Sequence, residues 1–162
     1  MTEIASVLAI LADHDVACVI IGGVAATVHG SALLTYDVDV CYDRRKENVA
    51  RLVAALGPHH PRLRDVPPEV PFVFDERTVL AGMNFTLTID LGSIDLIGEV
   101  PGLGRYDEVL AHAERMRLFS RQFPVLSLDA LITAKKATGR AKDMIAAQEL
   151  EAIREKLKGT GQ

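Results

Sequence analysis

The sequence predicts an α+β fold in which a mixed β-sheet is flanked by helices and followed by a C-terminal helical segment. Three observations carry this expectation. "VACVII" (16–21) is a wholly apolar, β-branched run that suits a central strand covered on both faces. "YDVDVCY" (36–42) alternates with period two, and "NFTLTIDLGSIDLIGEV" (84–100) reads as a hairpin turning at Leu91-Gly92-Ser93. Helical stripes surround these runs, with Ile4, Val7, Leu8 and Leu11 before the first and Val49, Leu52, Val53 and Leu56 after the second.

The remaining elements follow in order. "GGVAATVHG" (22–30) is a tight turn leading into a short helix that Gly30 ends. The helix over 45–56 stops at Gly57-Pro58, and five of the seven prolines lie between Pro58 and Pro71, so that stretch reads as a loop. His59 and His60 in it read as a solvated pair, since no partner ligands accompany them. Asp75 caps a short helix over "ERTVLAG", "RYDEVLAHAERM" (105–116) reads as helical, and "RLFSRQFPVL" (117–126) as extended with an interruption at Pro124. Ser127 is a good N-cap for "LDALITAKKATG", with Asp129 favourable to the helix dipole. A final helix from about Ala141 to Leu157 presents Ile145, Leu150, Ile153 and Leu157 at near-heptad spacing.

Composition bounds the function. The chain has 162 residues, 49% hydrophobic and 25% charged, enough for one ordinary domain with a real core. A net charge of −4 argues against non-specific DNA binding. Two cysteines, Cys18 and Cys41, are too few for a disulfide framework and read as buried, reduced thiols. Acidic Glu3 stands where a signal peptide would want positive charge, and no apolar run reaches membrane-spanning length, so a cytoplasmic protein without membrane contact is expected.

The chemistry starts at "TYDVDV". Residues i and i+2 of a strand share a face, with Cα atoms about 6.5 Å apart. Asp37 and Asp39 therefore project together while Val38, Val40 and Tyr42 face the core. Two such carboxylates repel one another unless a cation neutralises them, and Mg²⁺ is commonly held by one or two carboxylates plus phosphate oxygens. Taken alone, D-x-D is short and fits a hydrated strand face better than a metal pair. An EF-hand reading fails, because Cys41 and Tyr42 occupy its third ligand and glycine places. Upstream, the apolar strand runs into Gly22-Gly23 and a helix, a place where backbone N–H groups can meet phosphate. Neither G-x-G-x-x-G nor G-x-x-x-x-G-K-[ST] is present. Downstream, Asp90 and Asp95 offer a third carboxylate. Asp95 is preferred, since it interrupts an apolar strand as Asp37 does, whereas Asp90 lies near the turn. "AKKATGRAKD" is a cationic cluster around a helix break, suited to polyphosphate and equally to solvent.

The blocks "IGGVAATVHGSALLTYDVDV", "GSIDLIGEV" and "LSLDALITAKKATGRAKD" together resemble the nucleotidyltransferase superfamily with the polymerase-β-like fold. Within it the chain looks most like the minimal nucleotidyltransferases and AbiEii-type toxin-related proteins of bacteria. The resemblance implies a nucleotidyltransferase core over residues 1–100 and a mostly helical segment over 101–162 packed on it as one compact domain. It implies Mg²⁺, with Mn²⁺ as the alternative, at Asp37, Asp39 and Asp95, the last also activating the acceptor. Gly22, Gly23, Thr35, Lys135 and Asp143 become the nucleotide-binding set. The implied reaction moves a nucleoside monophosphate from an NTP to an acceptor hydroxyl on tRNA, a protein or a small molecule, and a toxin–antitoxin pairing with a cognate antitoxin is compatible with it. Two departures stand out. Gly22-Gly23 replaces the common Gly-Ser, and Leu33 stands where many relatives carry arginine two residues before the threonine. Leu33 motivates an alternative, a catalytically degenerate nucleotide- or partner-binding module of the same fold. Metal-dependent nuclease chemistry is a further alternative, which the glycine turn fits less well. His29 matches a histidine common in relatives, with a structural role at the helix end.

Overall fold

The apolar run of 16–21 forms strand β1 (Cys18–Ile21), buried along its whole length. The computed structural model describes residues 2–160. Before β1 lies helix α1 (Ile4–Asp13), which buries Val7, Leu8 and Leu11 against the sheet. After it come α2 (Gly22–Val28), β2 (Asp37–Tyr42), α3 (Lys46–Leu56), the two-residue β3 (Arg62–Leu63), α4 (Glu76–Ala81), β4 (Phe85–Ile89) and β5 (Gly92–Ile97). A small ribbon of β6 (Glu99–Val100) and β7 (Gly104–Arg105) leads to α5 (Tyr106–Ala111), β8 (Ala113–Leu118), β9 (Arg121–Leu126), α6 (Leu128–Thr138) and α7 (Ala141–Thr160).

Among the described residues, seven strands form one mixed sheet in the order β3-β4-β5-β2-β1-β9-β8. Strand β1 pairs antiparallel with β2 and parallel with β9, while β2 pairs parallel with β5. The strands of residues 1–100 thus build one side of the sheet, and β9 and β8 extend it beyond β1. The expected α+β class, with a mixed sheet flanked by helices, is the architecture observed. Val38, Val40 and Tyr42 of β2 have no exposure, and burial of side chains of this size stabilises by about 1.5–3 kcal/mol each. That anchorage offsets the presence of two aspartates on the opposite face of the same strand.

Several local expectations hold at the level of single hydrogen bonds. Asp75 accepts from Thr78 N at the start of α4, and Ser127 accepts from Ala130 N at the start of α6. Cys18 and Cys41 are buried free thiols, and burial pushes both up to about 12, so neither is a ready nucleophile.

Three expectations are corrected. The helix read over 105–116 ends at Ala111, and Ala113–Leu118 instead pairs antiparallel with Arg121–Leu126 as a hairpin. Its turn uses Phe119 (φ 50°) and Ser120 (φ 70°), a left-handed pair that normally advertises itself as Asn-Gly. No such signal stands in "LFSR". The final helix also faces differently, for Ile145 and Leu157 are 63% and 55% exposed while Ala147 and Leu150 are buried. The 58–71 stretch is not wholly loop, since Arg62–Leu63 adds an edge strand to β4.

Candidate active site

Strand alternation puts Asp37 and Asp39 on one face of β2, and the parallel pairing of β2 with β5 sets Asp95 beside Asp39. Each of the three offers a carboxylate oxygen, and these atoms all lie within 4.8 Å of one another. Among the described residues no other group of three such ligands comes together. Asp90, the alternative third acid, is elsewhere, its Oδ2 2.6 Å from His60 Nδ1.

The triad is only partly compensated, with Arg64 paired to Asp95 and Lys135 acting on Asp39. Burial pushes the Asp39 carboxyl up to about 7, the charges of Asp95 and Asp37 add to this, and Lys135 opposes it. Asp39 Oδ1 is buried with no hydrogen-bond partner. A buried oxygen of this kind is costly to leave unsatisfied, about 1–3 kcal/mol or more for a charged group. Three carboxylates and no softer donor are the ligand chemistry of Mg²⁺ or Mn²⁺, so these residues fit a hard divalent cation.

The glycine turn is packed against this cluster. Gly22 has φ +64°, and a Cβ there would stand 2.1 Å from Asp39 Oδ2, so only glycine fits this turn. A Cβ on Gly23 would stand 2.4 Å from Thr35 Oγ1. Thr35 therefore fills the room that the serine of a Gly-Ser turn would need, while its hydroxyl donates to Asp37 O at 3.1 Å.

Lys135 comes from the last turn of α6, where its Nζ lies 3.5 Å from Asp143 Oδ1. Asp143, 4% exposed, also accepts from Thr138 Oγ1 and Arg140 Nε, both at 2.7 Å. Burial raises the Asp143 carboxyl, but these hydrogen bonds and the Lys135 and Arg140 charges outweigh it, so the group sits below its usual value. Asp143 thus clamps the α6–α7 break and holds Lys135 in position. His29 Nε2 lies 2.9 Å from Leu126 O, tying the end of α2 to β9.

Two clefts open on either side of Asp39 and Lys135. One, of about 220 Å³, is bounded by Gly23, residues 33–37 and α7. The other, of about 260 Å³, is bounded by Gly22, Asn84, the β6 strand and α6. Leu33 is 51% exposed in the wall of the first. Sequence reasoning missed Arg64, whose Nη2 pairs with Asp95 Oδ1 and whose Nη1 donates to Leu87 O at 2.9 Å. It also missed Glu149, which accepts from Ser31 Oγ at 2.5 Å and Ala32 N at 3.0 Å and so ties the 31–36 segment to α7. Neither had a local signal, because each acts across elements far apart in sequence.

A mixed sheet with a glycine turn, a D-x-D strand and a third acid on the neighbouring parallel strand defines a nucleotidyltransferase-fold protein. Solved structures share this fold. The lincosamide antibiotic adenylyltransferase LnuA, in its lincomycin-bound form, aligns with a TM-score of 0.60 at 14% identity, covering 94% of this chain and 98% of its own. A nucleotidyltransferase candidate from Thermotoga maritima, TM1012, aligns with a TM-score of 0.58 at 16% identity, covering 98% of this chain and 96% of its own. No family model and no curated protein sequence matches this chain. The likenesses establish the fold, which is the nucleotidyltransferase fold over nearly the whole chain.

Proposed function

We propose that the protein transfers a nucleoside monophosphate from an NTP to an acceptor hydroxyl and releases pyrophosphate. The observation that carries this reading is the triad Asp37, Asp39 and Asp95, gathered within 4.8 Å and containing a buried oxygen without a partner. These three residues would hold Mg²⁺, or Mn²⁺, which supplies charge neutralisation and orientation for the phosphates when bound.

The chain's own groups account for the rest. Gly22 and Gly23 bring bare backbone to the phosphates beside Asp39. Lys135, held by Asp143 and bordering both clefts, faces the triphosphate and balances charge that grows on the departing pyrophosphate. Thr35 shapes the floor of the first cleft beneath Gly23. The acceptor hydroxyl oxygen bonds to the α-phosphorus, its proton passes to Asp95, and the bond from that phosphorus to the pyrophosphate oxygen breaks. Two clefts meeting at Asp39 match the need to bring two substrates to one cluster.

For the acceptor, the likeness to LnuA along both chains favours a small molecule with a free hydroxyl over tRNA or a protein side chain. The net charge of −4 points the same way, against bulky RNA. A toxin–antitoxin role with a cognate antitoxin rests on the sequence resemblance alone. The exposed Leu33, in place of a cation, favours one second reading, a nucleotide-binding module without catalysis.

Incubation of the protein with α-labelled NTPs and separate small-molecule, tRNA and protein fractions tests transfer. The expected outcome is label in the small-molecule fraction, dependent on Mg²⁺ and lost in Asp37→Asn and Asp39→Asn. NTP binding without label in any fraction would favour the inert module instead.

A further inference from the structure

The Arg64 contact links the acidic triad to a segment that the reaction outlined above does not use. Arg64 follows β3, and its backbone N–H donates to Thr86 O at 2.9 Å. Thr86 lies opposite Asp95 on β5, and Asp95 lies opposite Asp39 on β2. Arg64, Thr86, Asp95 and Asp39 thus form one row across four neighbouring strand positions. Along this row Arg64 Nη1 donates to Leu87 O on β4 and Nη2 to Asp95 Oδ1 on β5. Both side chains are largely enclosed, at 21% and 19% exposure, so this is not a solvated surface pair.

We propose that Arg64 is a positioning residue for Asp95, occupying Oδ1 and fixing the other carboxylate oxygen toward Asp37 and Asp39, where one lone pair of that oxygen would meet a divalent cation and the other the acceptor proton. The inference rests on the reading of the triad as a cation site. Its physical basis is the fork geometry of arginine, which is pinned at a backbone carbonyl and therefore sets an orientation as well as a charge. Carboxylate ligands held by such outer partners commonly lose about ten- to a hundredfold in metal affinity when the partner is removed. The sign of the effect separates positioning from simple charge balance. A cation beside the site repels a divalent ion, so if Arg64 contributed charge alone, its removal would tighten binding.

Titration of the metal-free protein with Mn²⁺, followed by calorimetry, reads this directly. Arg64→Ala is expected to weaken Mn²⁺ binding by about tenfold or more. Arg64→Lys is expected to weaken it as well, because lysine keeps the charge but cannot span Leu87 O and Asp95 together; it also serves if the alanine variant fails to fold. In an Asp95→Asn background, Arg64→Ala should have no further effect. Equal or tighter binding in Arg64→Ala, full recovery in Arg64→Lys, or a loss that persists with Asp95→Asn would each overturn the proposal. A wild-type protein that binds no Mn²⁺ would instead overturn the cation reading of the triad, and this inference with it.

Discussion

Asp39 concentrates the tension in this molecule. Its carboxyl is raised from an ordinary 3.8 to about 7, chiefly by burial and then by Asp95 and Asp37. Between those two values the folded protein holds a proton that the unfolded chain releases. Proton uptake therefore favours the fold at low pH, and stability of the metal-free protein falls as pH rises through about 7. In thermal melts of wild type and Asp39→Asn without metal, the wild type is expected to lose several degrees relative to the variant between about pH 5 and pH 8. Added Mg²⁺ should recover the loss for wild type only. Identical pH profiles would show that Asp39 is not the strained group. The D-x-D pair was legible because aspartate is so poor a strand residue. The enclosure of its carboxylate was not, since it depends on Gly22 packing directly against half-buried Asp39.

At the scale of elements, the site is held from behind by connections that leave no mark in local sequence. Glu149 on α7 fixes Ser31 and Ala32 and so the path of the segment carrying Leu33, Thr35 and Asp37. Glu149→Ala should weaken Mg²⁺-dependent NTP binding several-fold while leaving far-UV circular dichroism unchanged. A variant that binds NTP as wild type does would remove α7 from the account of the first cleft. Caps and amphipathic stripes were readable, as Asp75, Ser127 and the Val49–Leu56 face attest, because each is a contact within a few residues. The β8–β9 hairpin was hidden by its Phe119-Ser120 turn, and Pro124 in β9 argued further against a strand between two neighbours. Helix α7 misled differently. Its buried face is set by Asp143, Ala147 and Leu150, and a polar anchor with a small residue gives little hydrophobic pattern to follow.

For the whole molecule, the order of motifs proved more informative than any one of them. Strand, glycine turn, short helix, D-x-D strand and third acid fall in a sheet in which β2 lies between β1 and β5, and the parallel register of β2 and β5 brings Asp39 beside Asp95. What the order could not convey is the second cleft, which requires the β6 strand and α6 to face each other across Asp39. The proposed function requires this arrangement to bind an NTP through a divalent cation at the triad. Calorimetric titration of each NTP, with and without Mg²⁺, into wild type, Asp37→Asn and Asp39→Asn tests it most directly. Mg²⁺-dependent binding of at least one NTP by the wild type is expected, weakened about tenfold or more in both variants. Binding that ignores Mg²⁺, or that survives both substitutions unchanged, would contradict it.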